Sequence, residues 1–220
     1  MVIADSCNCH KICCKKPPPS RIIIITMDNL LGHAFTALWL TFCLIWLLSA
    51  LRLKKVKSQE SVGSRWVYQA PLLAAWILLF TRYSHWGALG HRFLPESQTI
   101  AIIGLILAAS GMAFACWARY TLGQNWSSKV TIKIDHELIR RGPYASVRHP
   151  IYTGLLLAIA GTALAVAEWR AVVALLLAWI SFYQKAHTEE KMLAQEFGEA
   201  FAEHRRHTGF FLPRLVPSSR

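Results

Sequence analysis

Apolar positions fall in five blocks separated by basic, turn-rich segments. Residues 30–51 carry no formal charge. At about 1.5 Å per residue, a helix of that length crosses the roughly 30 Å apolar core of a bilayer. Residues 66–80 form a shorter block interrupted by Pro71, and residues 100–118 form a third. From 151 to 183 the chain is apolar except for Glu168-Trp169-Arg170. Such charges are costly at a bilayer centre, so the run is expected to fold back there as a helical hairpin, 151–167 and 169–186. Trp66, Trp86, Trp126 and Trp169 lie at or near the block ends, where interfacial aromatics collect. Residues 188–207 then switch to an amphipathic helical period. Leu193, Phe197, Ala200, Phe201 and His204 share one face, with the glutamates largely elsewhere. Gly198 in its middle costs about 1 kcal/mol relative to Ala, which points to close packing there.

The resulting fold class is all-α: a polytopic membrane protein of five transmembrane helices plus a C-terminal amphipathic cytoplasmic helix. Residues 1–26 read as a disordered tail or mis-assigned start, 27–118 as helices one to three, and 119–150 as a cytoplasmic connecting loop. Residues 151–186 are the hairpin of helices four and five, and 187–220 the cytoplasmic helix and tail.

Composition supports the membrane reading. Of 220 residues, 54% are hydrophobic and only 16% charged, against about 25% charged in a soluble domain. The net charge of +12 would suggest nucleic acid in a soluble protein, but here it follows the loops. Arg52, Lys54, Lys55, Lys57 and Arg65 lie between helices one and two; Arg119, Lys129, Lys133, Arg140, Arg141 and Arg148 lie between three and four. The intervening loops have only Arg82, Arg92 and Arg170. Positive residues mark the cytoplasmic side, so a multi-pass protein of a bacterial inner membrane with a cytoplasmic C-terminus is expected, with the bilayer as partner and no nucleic acid. No obligate protein partner is implied. Lys11, Lys15, Lys16 and Arg21 break the alternation, a misfit that disappears if translation starts at Met27. Cys7, Cys9, Cys13 and Cys14, with His10, could supply metal ligands. The absence of apolar periodicity around them and the following Pro17-Pro18-Pro19 favour a tail without a metal site.

Gly-x-Gly spacing is absent, and so are Gly-x-Ser-x-Gly and His-Glu-x-x-His, which removes the usual nucleotide, serine-hydrolase and zinc-peptidase signatures. Polar residues crowd into residues 136–152 and 187–190. In the first, Gly142-Pro143 marks a turn and Pro150 suits the first turn of a helix. Arg148 and His149 then stand at the positive end of that helix, a corner that attracts carboxylate or phosphate; a snorkelling arginine beside a capping histidine explains them equally well. Tyr144 and Tyr152 read as interfacial anchors or ligand contacts. In the second, Thr188-Glu189-Glu190 reads either as an N-cap with acidic residues in the first turn or as a carboxylate pair facing a cation.

The pattern Gly142-Pro143-Tyr144-x-x-x-Arg148-His149-Pro150-x-Tyr152-x-Gly154, an apolar hairpin, and then Glu189-Glu190-x-x-Leu193-x-x-x-Phe197-Gly198 resembles the isoprenylcysteine carboxyl methyltransferase family and its phospholipid methyltransferase relatives. Leu122-Gly123-Gln124-Asn125-Trp126-Ser127 fits bacterial members, and the resemblance covers about residues 119–213. It implies five core membrane helices and S-adenosylmethionine bound without a Rossmann domain. It also implies cofactor contacts at His136, Glu137, Leu138, Ile139, Tyr144, His149, Pro150, Ile151, Tyr152 and Glu189, and a lipophilic methyl acceptor. No catalytic base is assigned. Arg148 is a further candidate for the ligand's carboxylate. Where eukaryotic members carry a substrate-side arginine this chain has Lys185, which keeps the charge but not the bidentate fork. The acceptor stays open among an isoprenylcysteine-type carboxylate, a phospholipid amine and a thiol. The alternatives are an NADPH-dependent sterol-type reductase, which shares Arg-His-Pro-x-Tyr but typically has Asn where Ile151 stands, and a non-catalytic membrane scaffold.

Overall fold

The computed structural model describes residues 19–49, 56–59, 62–81, 87–126, 131–133 and 137–214. Among the described residues six α-helices follow in chain order: α1 (Pro19–Ser49), α2 (Val62–Phe80), α3 (Gln98–Leu122), α4 (Pro150–Val166), α5 (Trp169–Phe197) and α6 (Glu199–His207). Two strands depart from the all-helical expectation. Val56–Gln59 (β1) pairs antiparallel with Thr131–Lys133 (β2). Both carry β-branched residues, which suit extended backbone, and the pairing puts the α1–α2 and α3–α4 connections on the same side of the bundle. The N-terminal cysteine cluster lies outside the described residues. Helix α1 starts at Pro19, inside the segment expected to be a tail; the apolar run Ile22-Ile23-Ile24-Ile25 gives that part of the chain helix-compatible, lipid-compatible sequence.

Leu30–Ser49 and Gln98–Asn125 are long and apolar enough to cross a membrane, while Arg65–Phe80 and Pro150–Val166 are shorter apolar helices. The outer surface is apolar: Leu47 is 68% exposed and Ile106 60%. Large side chains left facing outward on several helices suit hydrocarbon better than water.

The bundle is held where side chains are smallest. Gly104, Ala108, Gly111 and Ala115 of α3 face Gly154, Ala158 and Gly161 of α4. The approach is so close that a Cβ at Gly111 would stand 2.5 Å from the Gly154 carbonyl oxygen, and one at Gly154 equally near that of Gly111. Without an aqueous hydrophobic effect between them, membrane helices gain from this backbone-to-backbone van der Waals contact.

Helix ends in the apolar region need partners for their free carbonyls, and two buried arginines provide them. Arg119 of α3 donates from Nη2 to the Ser49 carbonyl at the end of α1 (2.6 Å) and from Nη1 to Gly123 O (2.8 Å), with its guanidinium 4.3 Å above the Trp126 ring. Arg170 of α5 donates from Nη1 to Leu78 O (2.6 Å) and Thr81 O (3.0 Å) at the end of α2, while its Nε binds Glu168 at 2.5 Å. The hairpin thus turns where the charged triplet required it. Ala167 takes the left-handed conformation (φ 53°). Phe93 N–H to Ala167 O and Trp169 N–H to His91 O tie the turn to the α2–α3 connection on the opposite side.

Helix α5 departs from the expected boundary. It continues unbroken through Ala186 to Phe197, so Thr188 is no N-cap; its hydroxyl donates to Gln184 O one turn back. Gly198 is not tightly packed, for a Cβ there would meet nothing within 4 Å. Its role is conformational. With φ 50° and ψ −123° it occupies backbone space open to glycine, and the chain turns there from α5 into α6.

Gly111→Ala should lower the thermal stability of the solubilised protein by about 1–3 kcal/mol, the range for overpacking. Gly32→Ala, inside α1 where a Cβ meets nothing within 4 Å, should be neutral or stabilise by up to about 1 kcal/mol. Equal melting temperatures for the two variants would remove the α3–α4 contact as the determinant.

Candidate functional site

Pro150 opens α4 with His149 as its N-cap residue, and because α4 and α5 form a hairpin, the extension of α5 beyond Ala186 passes beside that corner. This brings Arg148, His149 and Tyr152 against Glu189 and Glu190. Tyr152 donates its hydroxyl to Glu189 Oε1 at 2.5 Å. The His149 imidazole is buried between the carboxylates, Nδ1 3.6 Å from Glu189 Oε2 and Nε2 3.2 Å from Glu190 Oε1. Arg148 donates from Nε to Glu190 Oε1 (2.6 Å) and from Nη1 to the Thr208 carbonyl (2.5 Å). The two adjacent glutamates therefore divide: Glu190 anchors Arg148, and Glu189 faces the interior with Tyr152.

The C-terminal segment closes over this corner. Arg148 N–H donates to Gly209 O (2.9 Å), His149 N–H to Phe210 O (3.2 Å), Gly209 N–H to Ser146 O (3.0 Å), and the Thr153 hydroxyl to Phe211 O (2.6 Å). Phe210 packs edge-on to the His149 ring, centroids 4.9 Å apart.

Inside lies a cavity of about 530 Å³. Its polar end is formed by Glu137, Tyr144, Arg148, His149, Tyr152, Lys185, Glu189 and His204, and Leu138, Ile139 and Ile151 also line it. Its wall toward the bundle is aromatic and aliphatic, with Phe42, Trp46, Leu72, Trp76, Trp126, Leu155 and Phe182. Tyr152 stacks on Phe182 at 5.1 Å, and Lys185 Nζ lies 5.5 Å from the Tyr152 ring centroid. Of the residues named from sequence, His136 lies outside the described residues, and Pro150 is fully buried behind the wall. The structure gathers the others around one space. Arg148 borders that space with its Nε bound to Glu190 and its Nη1 to the Thr208 carbonyl.

Asn125, Met192, Leu193, Phe201 and His204 line the cavity too; the sequence reading gave none of them a ligand role, although it placed Leu193, Phe201 and His204 on one helical face. Asn125 lay within the quoted Leu122–Ser127 stretch without an assigned task. Its buried Oδ1 finds no hydrogen-bond partner among the described residues, an acceptor left for a ligand's donor.

Burial alone would push the His149 imidazole down, but hydrogen bonds and charge from Glu189 and Glu190 outweigh it and hold it above its ordinary value. Two acceptor-only carboxylates on its two nitrogens require a doubly protonated ring. Burial would raise Glu190; His149 and Arg148 overcome that and lower it from the ordinary 4.5 to about 2. Glu189 is likewise held below the usual range despite its burial, by His149, Lys185 and Tyr152. Burial, with the nearby Glu189 charge, drives the Tyr144 phenol far up. Burial and the charges of Arg140 and Arg148 push His204 down. The polar end thus presents an ionised Glu189 and a neutral Tyr144 phenol at neutral pH.

Residues 102–195 match the Isoprenylcysteine carboxyl methyltransferase (ICMT) family. A protein-S-isoprenylcysteine O-methyltransferase of Tribolium castaneum is 30% identical over 54% of this chain and 44% of its own length. The cobalt-zinc-cadmium resistance protein CzcN of Cupriavidus metallidurans is 37% identical over 55% and 51%. A solved structure of a eukaryotic intramembrane Ras methyltransferase superposes with a TM-score of 0.54 at 26% identity, over 66% of this chain and 52% of that one. The chain spans about half the length of the relatives it matches. The resemblance read from the two motifs is borne out.

The ionic cluster sets a pH window. Glu190 has a depressed folded-state pKa, so its contribution is complete above about pH 4.5 and is lost as pH falls toward 2. His149 has a raised one, so its contribution is complete below about pH 6.5 and is lost as pH rises through the folded value. Unfolding temperature against pH should therefore be highest between about 4.5 and 6.5. Glu190→Ala, which leaves Arg148 and His149 without this carboxylate, should cost about 3–5 kcal/mol and flatten the acid limb. A variant that keeps the full acid limb would show that Glu190 does not supply it.

Proposed function

We propose that this chain is an integral membrane methyltransferase that takes its methyl group from S-adenosylmethionine and passes it to a lipophilic acceptor. The observation that carries this reading is a cavity with an ionised carboxylate and phenols at one end and an aromatic wall at the other, whose Tyr144, Tyr152 and Glu189 fall within residues 102–195, the stretch that matches the methyltransferase family.

The residues present fit the cofactor. Glu189, ionised and fixed by Tyr152 and His149, would hold the ammonium group. The unpartnered Asn125 Oδ1 is an acceptor for an amino or hydroxyl donor, and the Leu138-Ile139 backbone borders the same space. Tyr144 and Tyr152 offer ring faces that stabilise positive charge. Bound there, S-adenosylmethionine would supply an electrophilic methyl on a sulfonium. The protein's work is then positioning and exclusion of water. The strap of residues 208–211 closes the polar end, and Trp46, Trp76, Trp126 and Phe182 keep the other end apolar enough for a lipid-like acceptor. Lys185 supports an acidic acceptor, since its ammonium stands at the junction of the two regions. A carboxylate needs no general base, whereas a thiol or amine does.

Five crossings account for the bundle's two sides. The β1–β2 pairing, together with Arg140 Nη2 donating to Ala200 O (2.6 Å), supports a shared side for the two basic connections and the C-terminal helix. The Phe93–Ala167 bond supports the opposite side for the α2–α3 connection and the hairpin turn. With basic residues inside, the C-terminus is cytoplasmic.

Cysteines placed at Glu203 and Gly90 should react with membrane-impermeant reagent from opposite faces, Glu203→Cys only from the cytoplasmic one. Labelling of both from the same face would overturn the topology.

Isothermal titration of the solubilised chain should show S-adenosylmethionine binding and none of NADPH. Glu189→Gln should weaken binding by about 1.5–3 kcal/mol, the range for a hydrogen bond to a charged group, with the fold retained. Binding of NADPH in its place would favour the reductase reading. Unchanged cofactor affinity in a folded Glu189→Gln protein would remove the site assignment.

A further inference from the structure

A second concavity, of about 340 Å³, lies at the α5–α6 turn on the far side of Phe201 from the residues described above. It is lined by Ala194, Gly198, Phe201 and Ala202 and rimmed by Arg205, Arg206 and Arg214. Three exposed arginines line one hollow, and among the described residues no carboxylate lines it. Glu199 reaches Arg206 from outside (2.7 Å), with both side chains largely exposed, so it offsets one charge weakly. Arg214, though exposed, donates from Nη1 to the Arg206 carbonyl. The lining under the arginines is small: Ala194, Gly198 and Ala202 leave room for a group of several atoms to sit between the charges.

We propose that this hollow is a binding site for a phosphate group. Like charges gathered at a concave surface repel one another, and a bound anion turns that repulsion into attraction. Guanidinium forks match the tetrahedral oxygens of phosphate bidentately, which a scattered lysine surface does not. The general positive charge of the cytoplasmic loops accounts for the number of basic residues but not for three arginines around one cavity. The phosphate belongs either to an anionic lipid headgroup or to a soluble phosphate ester. The site is independent of the methyl-transfer reading, because none of its arginine side chains lines the larger cavity. It is nevertheless mechanically connected to it: the Arg205 carbonyl accepts from Arg148 Nη1 at 3.4 Å, so a ligand that steadies this turn of α6 also steadies the Arg148–Glu190 corner.

The test uses the full chain in zwitterionic detergent, with thermal shift and native mass spectrometry as readouts. The probes are inorganic phosphate, dihexanoyl phosphatidylglycerol and dihexanoyl phosphatidylcholine. Phosphate and phosphatidylglycerol should each bind in a salt-sensitive way, and the zwitterionic lipid at least tenfold more weakly. Tighter binding of phosphatidylglycerol than of phosphate identifies a headgroup; equal binding identifies a soluble phosphate. The double variant Arg205→Gln/Arg214→Gln should lose at least tenfold in affinity for both anions. Glu199→Gln, which frees Arg206 and removes a competing negative charge, should gain several-fold. The proposal fails if neither anion binds the wild type, if the zwitterionic lipid binds as well as the anionic one, or if Glu199→Gln leaves affinity unchanged. Unchanged affinity in a folded double variant also overturns it.

Discussion

A histidine buried between two glutamates is stable only if every charge around it is answered, and most of the functional end of this molecule is that answer. His149 sits 3.2 Å from Glu190 and 3.6 Å from Glu189. Glu190 is shared with Arg148, Arg148 is shared with the Thr208 carbonyl, and Glu189 is capped by the Tyr152 hydroxyl. Removing Glu190 leaves Arg148 without its carboxylate and His149 with one fewer, and breaking such a buried pair costs several kcal/mol. The cluster thereby couples four pieces of chain that are far apart in sequence: the connection before α4, the first turn of α4, the extension of α5 and the C-terminal strap.

That coupling depends on where the helices are placed. The glycine-lined contact of α3 with α4 fixes α4 at backbone distance from its neighbour, and the turn at Ala167 returns the chain as α5. Because α5 does not stop at the end of its apolar part, its next turns carry Glu189 and Glu190 past the start of α4. A helix ending at Ala186 would have left the carboxylates on a freer segment, with more entropy to lose in forming the same pairs. Arg119 and Arg170 serve the same architecture at its two ends, each satisfying the carbonyls of a helix to which it does not belong.

Much of this could be read from the sequence, where one residue type had one plausible use. Pro150 after His149 announced a helix start, and Glu168-Trp169-Arg170 announced the hairpin turn, because few alternatives are affordable for those residues in an apolar run. The two motifs pointed to a shared site, and Tyr144, Arg148, His149, Tyr152, Glu189 and Leu193 from them line one cavity. What the sequence concealed were choices between local and tertiary partners. Thr188-Glu189-Glu190 has the pattern of an N-cap, yet the helix runs through it, since the carboxylates find His149, Arg148 and Tyr152 across the bundle. Gly198 looked like a close contact and is a turn at positive φ. Asn125 is a single polar residue in an otherwise ordinary stretch, with no periodicity to mark it as cavity-lining, and His204 was placed on the inward face of its helix without a hint that this face meets a cavity. The pairing of β1 with β2 joins segments whose separation in sequence hides their proximity.

Glu189 shows how structure and chemistry divide the work of the adjacent glutamates. Either carboxylate alone could balance His149. Two are needed because Arg148 also requires one, and an arginine near the apolar region is tolerable only when paired. Glu190 meets that need, which leaves Glu189 ionised by its neighbours yet directed into the cavity. A single glutamate would have to choose between holding the corner together and facing a ligand. The repeated acidic residue, which a local reading treats as redundant, separates the two tasks, and the electrostatic stress of adjacent charges is relieved by placing a protonated histidine between them.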